Sequence, residues 1–363
     1  MRVGLIIYGH LDTRSGGYLY DRKLVAALRA RGDEVTILSL PWRNYGRHLL
    51  DNWDKRLVAT ARAAQLDILL QDELNHPSLV WQNARLRAAL KIPIVSIVHH
   101  LRSSESHPRL PTVLYRWAEG NYVNSIDGFI YNSYTTEEAV GALLRQAKPS
   151  VIAWPAADQI EPPDQPIVAA LVAQRATWSG PLRVLTVGNV TPRKNLHTVM
   201  KALARLPATD WTLTVAGVLT VDPPYVETLF RLATELGIKS NVRFDGAVDT
   251  QTLRQLYAAS HVLALPSYEG FGIVYLEAMA FGVVPIASRA GAAHEIIADG
   301  QNGYLVGLND VDELAARLGV IQRDRLHWQK LALAARRRYD RHPTWQQSMQ
   351  RASNWLHEFT QDW

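Results

Sequence analysis

Cysteine is absent from the 363 residues, which excludes disulfides and thiolate metal sites and suits a reducing compartment. No apolar run approaches the ~20 residues that a transmembrane helix requires. Met1 to Tyr8 turns polar too soon for a signal peptide and reads as a first strand, so a cytoplasmic protein is expected. The sequence has no G-x-G-x-x-G loop, which disfavours a dinucleotide site, and no Asp-x-Asp-like pair where a metal would be needed. Charge is moderate as well: 20% charged against 47% hydrophobic residues, with a net +5 spread along the chain. That is a soluble globular composition with a solvated mixed exterior, and no nucleic-acid partner is expected. The length suits two domains of ordinary size.

The most informative stretch runs from His261 to Ser288. Val262 to Leu265 is a short apolar run closed by Pro266, the pattern of a strand buried on both faces. Gly270 and Gly272 bracket Phe271 in a turn, and from Ile273 to Phe281 the apolar residues fall at helical spacing until Gly282 stops the helix. The first amides of that helix direct free N–H groups and the positive dipole end into the loop, so an anion is favoured there. Glu269 in the loop and Glu277 on the helix can accept hydrogen bonds from hydroxyls beside it. An anion flanked by a polyol is the chemistry of a sugar nucleotide.

A second anion site is written into Gly188-Asn189-Val190-Thr191-Pro192-Arg193-Lys194, which follows the strand Val184 to Val187 and precedes a helix from Leu196. Arg193 can fork onto phosphate oxygens and Lys194 supplies a mobile charge. In the first half, a βαβ opening places Ser15-Gly16-Gly17-Tyr18 at a helix start. Those glycines suit either a phosphate meeting free amides or a tight turn needing positive φ. Two further strands end in polar clusters, Gln71 to His76 and His99 to Glu105, where ligands of open α/β sheets gather. Leu49, Leu50, Trp53 and Leu57 could share one face of a helix within the basic, aromatic span Trp42 to Arg62, as a lipid or acceptor contact or as an ordinary packing helix. Arg317 to Arg341 reads as helical and basic. Prolines crowd 155–166, a domain boundary.

Pro266-Ser267-x-Glu269-Gly270-Phe271-Gly272, followed by Glu277-Ala278-Met279-Ala280 and Gly282, resembles the E-x7-E signature of family 4 retaining glycosyltransferases, and the likeness extends over nearly the whole chain. The resemblance implies the GT-B fold, an α/β architecture of two Rossmann-like domains facing a cleft. We expect a first domain at 1–165, completed by a C-terminal helix at 344–363, and a nucleotide-sugar domain at 178–343. It further implies metal-independent transfer of a hexosyl unit from a nucleotide-diphosphate sugar to a hydroxyl acceptor, with retention, giving an α-linkage. Lys194 occupies the diagnostic place of the family's phosphate loop, whereas Asn189 stands where many members carry Arg.

By the same resemblance, His99 lies beside the reacting sugar, with His100 as its competitor, and Glu269 holds sugar hydroxyls. Donor contacts are expected from Gly16, Gly17, Gly188, Asn189, Val248, Gly270, Phe271, Gly272, Ile273 and the ribose partner Glu277. Tyr18, Glu73, His100 and Arg102 fall on the acceptor side. Peripheral membrane contact through the first domain is a further expectation. A sugar-nucleotide epimerase of the same fold and a non-catalytic sugar-nucleotide-binding module are the rival readings.

Overall fold

The computed structural model of the chain describes residues 1–13, 15–105 and 109–363. Each of its two units is built on a six-stranded sheet whose strand pairs are all parallel, and each sheet carries its own core. Unit 1 comprises Met1–Pro155 and Pro343–Trp363, and unit 2 comprises Ala156–His342.

In unit 1 the strands are β1 (Arg2–Tyr8), β2 (Glu34–Leu40), β3 (Ile68–Asp72), β4 (Ile94–Val98), β5 (Gly128–Tyr131) and β6 (Ser150–Ile152), in spatial order β2-β1-β3-β4-β5-β6. Strands β3, β4 and β5 are buried at every position, the polar Gln71, Asp72 and Ser96 included. The chain returns to this unit for its last helix, Trp345–Gln361, started by a capping box between Thr344 and Gln347. Gly128 on β5 is bare because Trp355 and Phe359 of that helix occupy the space of its side chain; a Cβ there would lie 2.9 Å from Trp355. Trp345 meets Tyr20 edge-on, and His357 pairs with Asp33 at 2.9 Å.

In unit 2 the strands are β7 (Leu182–Val187), β8 (Trp211–Ala216), β9 (Val242–Gly246), β10 (Val262–Leu265), β11 (Val284–Ser288) and β12 (Tyr304–Val306), in spatial order β12-β11-β10-β7-β8-β9. The helix Gln165–Ala176 sets Val168 and Val172 into this unit's core. It is pinned there by Arg175, a buried guanidinium that donates to the carbonyls of Ser260, Phe281 (2.6 Å) and Gly282 (3.3 Å) and lies over the Trp328 ring.

Two expected helices are interrupted, each by an aspartate that caps the next one. Leu49 to Leu57 is a 3-10 turn (Leu49–Trp53) and then a separate helix (Lys55–Ala63), because Asp54 accepts from the Arg56 amide. Leu57 is therefore buried while Leu50 and Trp53 are exposed. Likewise Arg317 to Arg341 divides into Val311–Arg323 and Arg325–Asp340 at Asp324, which accepts from the His327 amide at 2.8 Å.

Candidate active site

In unit 2 the strand order reverses between β7 and β10, since β8 and β9 lie to one side of that seam and β11 and β12 to the other. Ligands of open parallel sheets bind beyond the strand ends at such a switch point. The loops leaving β7 and β10 are the two that carry the anion signals. They are tied together by Asn195, held in the left-handed region (φ 58°), whose side-chain amide donates to the Pro266 carbonyl at 2.9 Å. Gly217, after β8, leaves room for the first of them; a Cβ there would sit 1.9 Å from the Gly188 carbonyl oxygen.

This arrangement brings Lys194, Arg193 and Glu269 into one cluster. Lys194 Nζ lies 2.5 Å from Glu269 Oε1, which also accepts from Ser267 Oγ at 2.7 Å. Arg193 Nη1 stands 3.6 Å from Oε2 and donates to the Tyr268 carbonyl at 3.0 Å. Burial opposes ionisation of Glu269, but the charges of Lys194 and Arg193 and the bonds from Lys194 and Ser267 outweigh it and lower its pKa to about 2. Gly291 supports the loop from behind, its backbone so close to Glu269 that a Cβ would fall 2.4 Å from the Glu269 carbonyl oxygen.

Gly270 and Phe271 lead into the helix Ile273–Ala280, whose N-cap is Gly272 at φ 91°, a conformation open to glycine. Phe271 is buried and its ring lies near His342. Glu277 is buried with both oxygens engaged, Oε2 by the Tyr257 hydroxyl at 2.8 Å and Oε1 by the Gln159 amide at 2.5 Å, and burial raises its pKa. Gly188 (φ 135°) packs against the Lys194 side chain, with Asn189 following it on the same loop. Val248 lies just beyond β9, two residues before the helix Thr250–Ala259. The Tyr257 and Gln159 partners of Glu277 could not be read from the sequence, because they lie 20 and 118 residues away.

In unit 1 the strand order reverses between β1 and β3, and the residues singled out from the sequence follow β1, β3 and β4. Gly16 and Gly17 are the first two residues of the helix Gly16–Ala30, capped by Ser15, and neither has a positive φ, so the tight-turn reading fails. Gly17 instead leaves space for His99; its Cβ would meet the imidazole Cδ2 at 3.1 Å. The His99 backbone is fixed from two sides: its amide donates to Glu73 Oε2 at 3.4 Å and its carbonyl accepts from the Asn132 side chain at 2.7 Å. Tyr18 is buried with its hydroxyl donating to the Tyr8 carbonyl. Glu73 is also buried, and burial raises its pKa to about 8. His100 pairs with Glu105 at 3.0 Å, and Arg102 lies over the rings of Tyr45 and Tyr115.

One residue escaped the sequence reading. Asp21 is fully buried beside His99, its Oδ1 3.6 Å from Nε2. Its signal was present: with Leu24, Val25 and Leu28 at i+3, i+4 and i+7, an acid occupies the apolar stripe of the first helix.

Residues 172–338 match the family described as glycosyl transferases group 1. The chain is 29% identical over 260 residues to a GDP-mannose-dependent alpha-(1-6)-phosphatidylinositol monomannoside mannosyltransferase of Mycobacterium tuberculosis, covering 68% of this chain and 65% of that protein. It is 34% identical over 177 residues to the glycogen synthase of the same organism, covering 48% and 42%. It thus spans less than two thirds of the length of these curated relatives. Among solved structures, sucrose-phosphate synthase from Thermosynechococcus elongatus superposes with a TM-score of 0.82 at 20% identity over 100% of both chains, a likeness of fold.

Proposed function

Because the chain belongs to the group 1 glycosyl transferases, with the GT-B fold, we propose that it moves a hexosyl unit from a nucleotide-diphosphate sugar to a hydroxyl acceptor with retention. The observation that carries this reading is the Lys194–Glu269 pair at the β7/β10 switch point. Lys194, Arg193 and the amide end of the helix Ile273–Ala280 neutralise the charge that gathers on the leaving diphosphate, the electrostatic stabilisation that usually dominates such transfers. No protein nucleophile is used; a donor phosphate oxygen assists deprotonation of the attacking hydroxyl. Glu269, ionised at neutral pH, accepts from donor hydroxyls. Glu277 accepts from the ribose once a hydroxyl replaces the Gln159 amide, and His99 donates to the reacting sugar. Gly188, Asn189, Val248 and the Gly270–Ile273 turn line the donor.

The expected result of a thermal-shift screen against UDP, GDP and ADP sugars is a rise in the midpoint with one base, since a ligand selective for the native state at 100 times its Kd adds about 2.7 kcal/mol. GDP-mannose is the first arm, because the M. tuberculosis relative is named for that donor. A chain whose midpoint ignores all three would remove the donor assignment.

We further propose that unit 1 meets an anionic membrane surface. Among the described residues no helix is long and apolar enough to cross a membrane. Trp53, Trp81 and Trp117 instead form an exposed ladder with ring centroids 5.5 and 5.9 Å apart, beside exposed Leu114 and Val113. Arg47, Lys55, Arg56, Arg85 and Arg116, from the same segments, are exposed as well. Aromatics with cations suit insertion at the headgroup level of an anionic bilayer. Sedimentation with phosphatidylglycerol vesicles should capture the protein at low salt, pure phosphatidylcholine should not, and a Trp53→Ser, Trp81→Ser, Trp117→Ser variant should lose the binding. Equal recovery with both lipids, or binding by the triple variant, contradicts this.

A further inference from the structure

We propose that Asp21 is the positioning residue for His99: from behind the ring it keeps the proton on Nε2, so that the imidazolium offers Nδ1–H to the sugar. This rests on the glycosyltransferase reading for the identity of the acceptor of that hydrogen bond, but not for the Asp21–His99 pair itself.

The geometry is closed on one side and open on the other. Asp21 is fully buried, and among the described residues neither of its carboxylate oxygens has a hydrogen-bond partner. The nearest complementary group is His99 Nε2, 3.6 Å from Oδ1, which is itself buried without a hydrogen bond. An ionised carboxylate cannot be left so placed without an opposing charge, and His99 is the group at hand. The ring cannot swing away. Gly17 abuts its Cδ2 edge, Tyr20 meets it edge-on at 5.3 Å, and its backbone is held by Glu73 and Asn132. With Nε2 aimed at Asp21, Nδ1 is the ring nitrogen left for a ligand.

Among the described residues, the charged groups with the largest effect on the ring are acids: Asp21 from the first helix, and Asp72 and Glu73 from the end of β3. Burial disfavours the imidazolium, but these carboxylates prevail and raise His99 to about 9. Asp72 moves the same way, since its own burial and the Asp21 charge both disfavour its ionisation. The imidazolium is thus held by a group of carboxyls, of which Asp21 lies against Nε2 at 3.6 Å. A group with a raised pKa holds its proton through neutrality and gives it up only at alkaline pH. Donation by His99 therefore persists at pH 8 and fails above about 9.

Asp21→Asn keeps the shape and removes the charge. Imidazole NMR of the wild-type chain should show His99 doubly protonated at pH 7.5, titrating near 9. In the variant it should titrate toward the ordinary ~6.5. The protonated fraction at pH 8 then drops, by roughly 30-fold where the shift to that reference is complete and by less where Asp72 and Glu73 still hold the proton. The kcat for transfer should fall by that factor at pH 8, recover most of the loss at pH 6, and leave the donor KM less affected. A variant harmed only in its packing would lose activity equally at both values. Should Asp21→Asn not fold by circular dichroism, the wild-type titration decides alone: a neutral His99 at pH 7.5 overturns the pair. An unchanged titration in a folded variant overturns it too, as does activity that rises with added divalent metal in the wild type but not in the variant. If the titration moves and the alkaline limb of kcat does not, the pair stands and His99 is removed from the reaction.

Discussion

Lys194→Ala is expected to lower transfer by roughly 10²–10³-fold, the scale of losing one preorganised donor to developing negative charge, while far-UV circular dichroism stays unchanged. The same substitution should cost about 2–3 kcal/mol in urea unfolding at pH 7. It lies below the ~3–5 kcal/mol typical of a broken buried pair because Arg193 and Ser267 still face the Glu269 carboxylate and both partners keep some exposure. Adding Glu269→Gln separates the two effects: the orphaned charge disappears, so the double variant should regain most of the stability and none of the turnover. A folded Lys194→Ala enzyme with near-native turnover would defeat the donor-site assignment, and a double variant no more stable than Lys194→Ala would defeat the account of the pair.

Arg175→Ala should be the most damaging single change to unit 2, at about 3–5 kcal/mol, by the cost of leaving buried carbonyls without a donor. Its guanidinium joins the helix Gln165–Ala176 to the residues before β10 and to the end of the helix carrying Glu277. Water cannot easily take over those contacts, since the residue is buried and Trp328 covers it. Arg175→Met, which restores volume but no donors, should recover only part of the loss. A calorimetric unfolding transition for unit 2 displaced by less than about 1 kcal/mol in Arg175→Ala would show that these bonds are dispensable.

Much of this architecture could be read from the residues because parallel strands buried on both faces leave apolar runs, as at Leu69 and Leu70 or Val262 to Leu265, and because Gly272 and Gly282 bracket a helix. The Arg193, Lys194 and Glu269 cluster was accessible for a related reason: both loops announce an anion site, and the strand order puts them side by side. What stayed hidden depends on contacts distant along the chain. Nothing near Gly17 says that its missing side chain makes room for His99, and nothing near Glu277 names Gln159. Asp54 and Asp324 misled in another way. Each sits inside a run with helical spacing, yet a short acid accepting a backbone N–H offers the chain a competing stop. Asp21 could have been noticed, since an acid in an apolar stripe demands a partner; the identity of that partner, three strands further along the chain, could not.

The helix Trp345–Gln361 also dictates an order of assembly. A ribosome threads out all of unit 2 before it delivers the aromatic lid that covers Gly128 and Tyr20. The half of the molecule translated first is consequently the half completed last, its sheet left partly uncovered at Gly128 until all of unit 2 has been made.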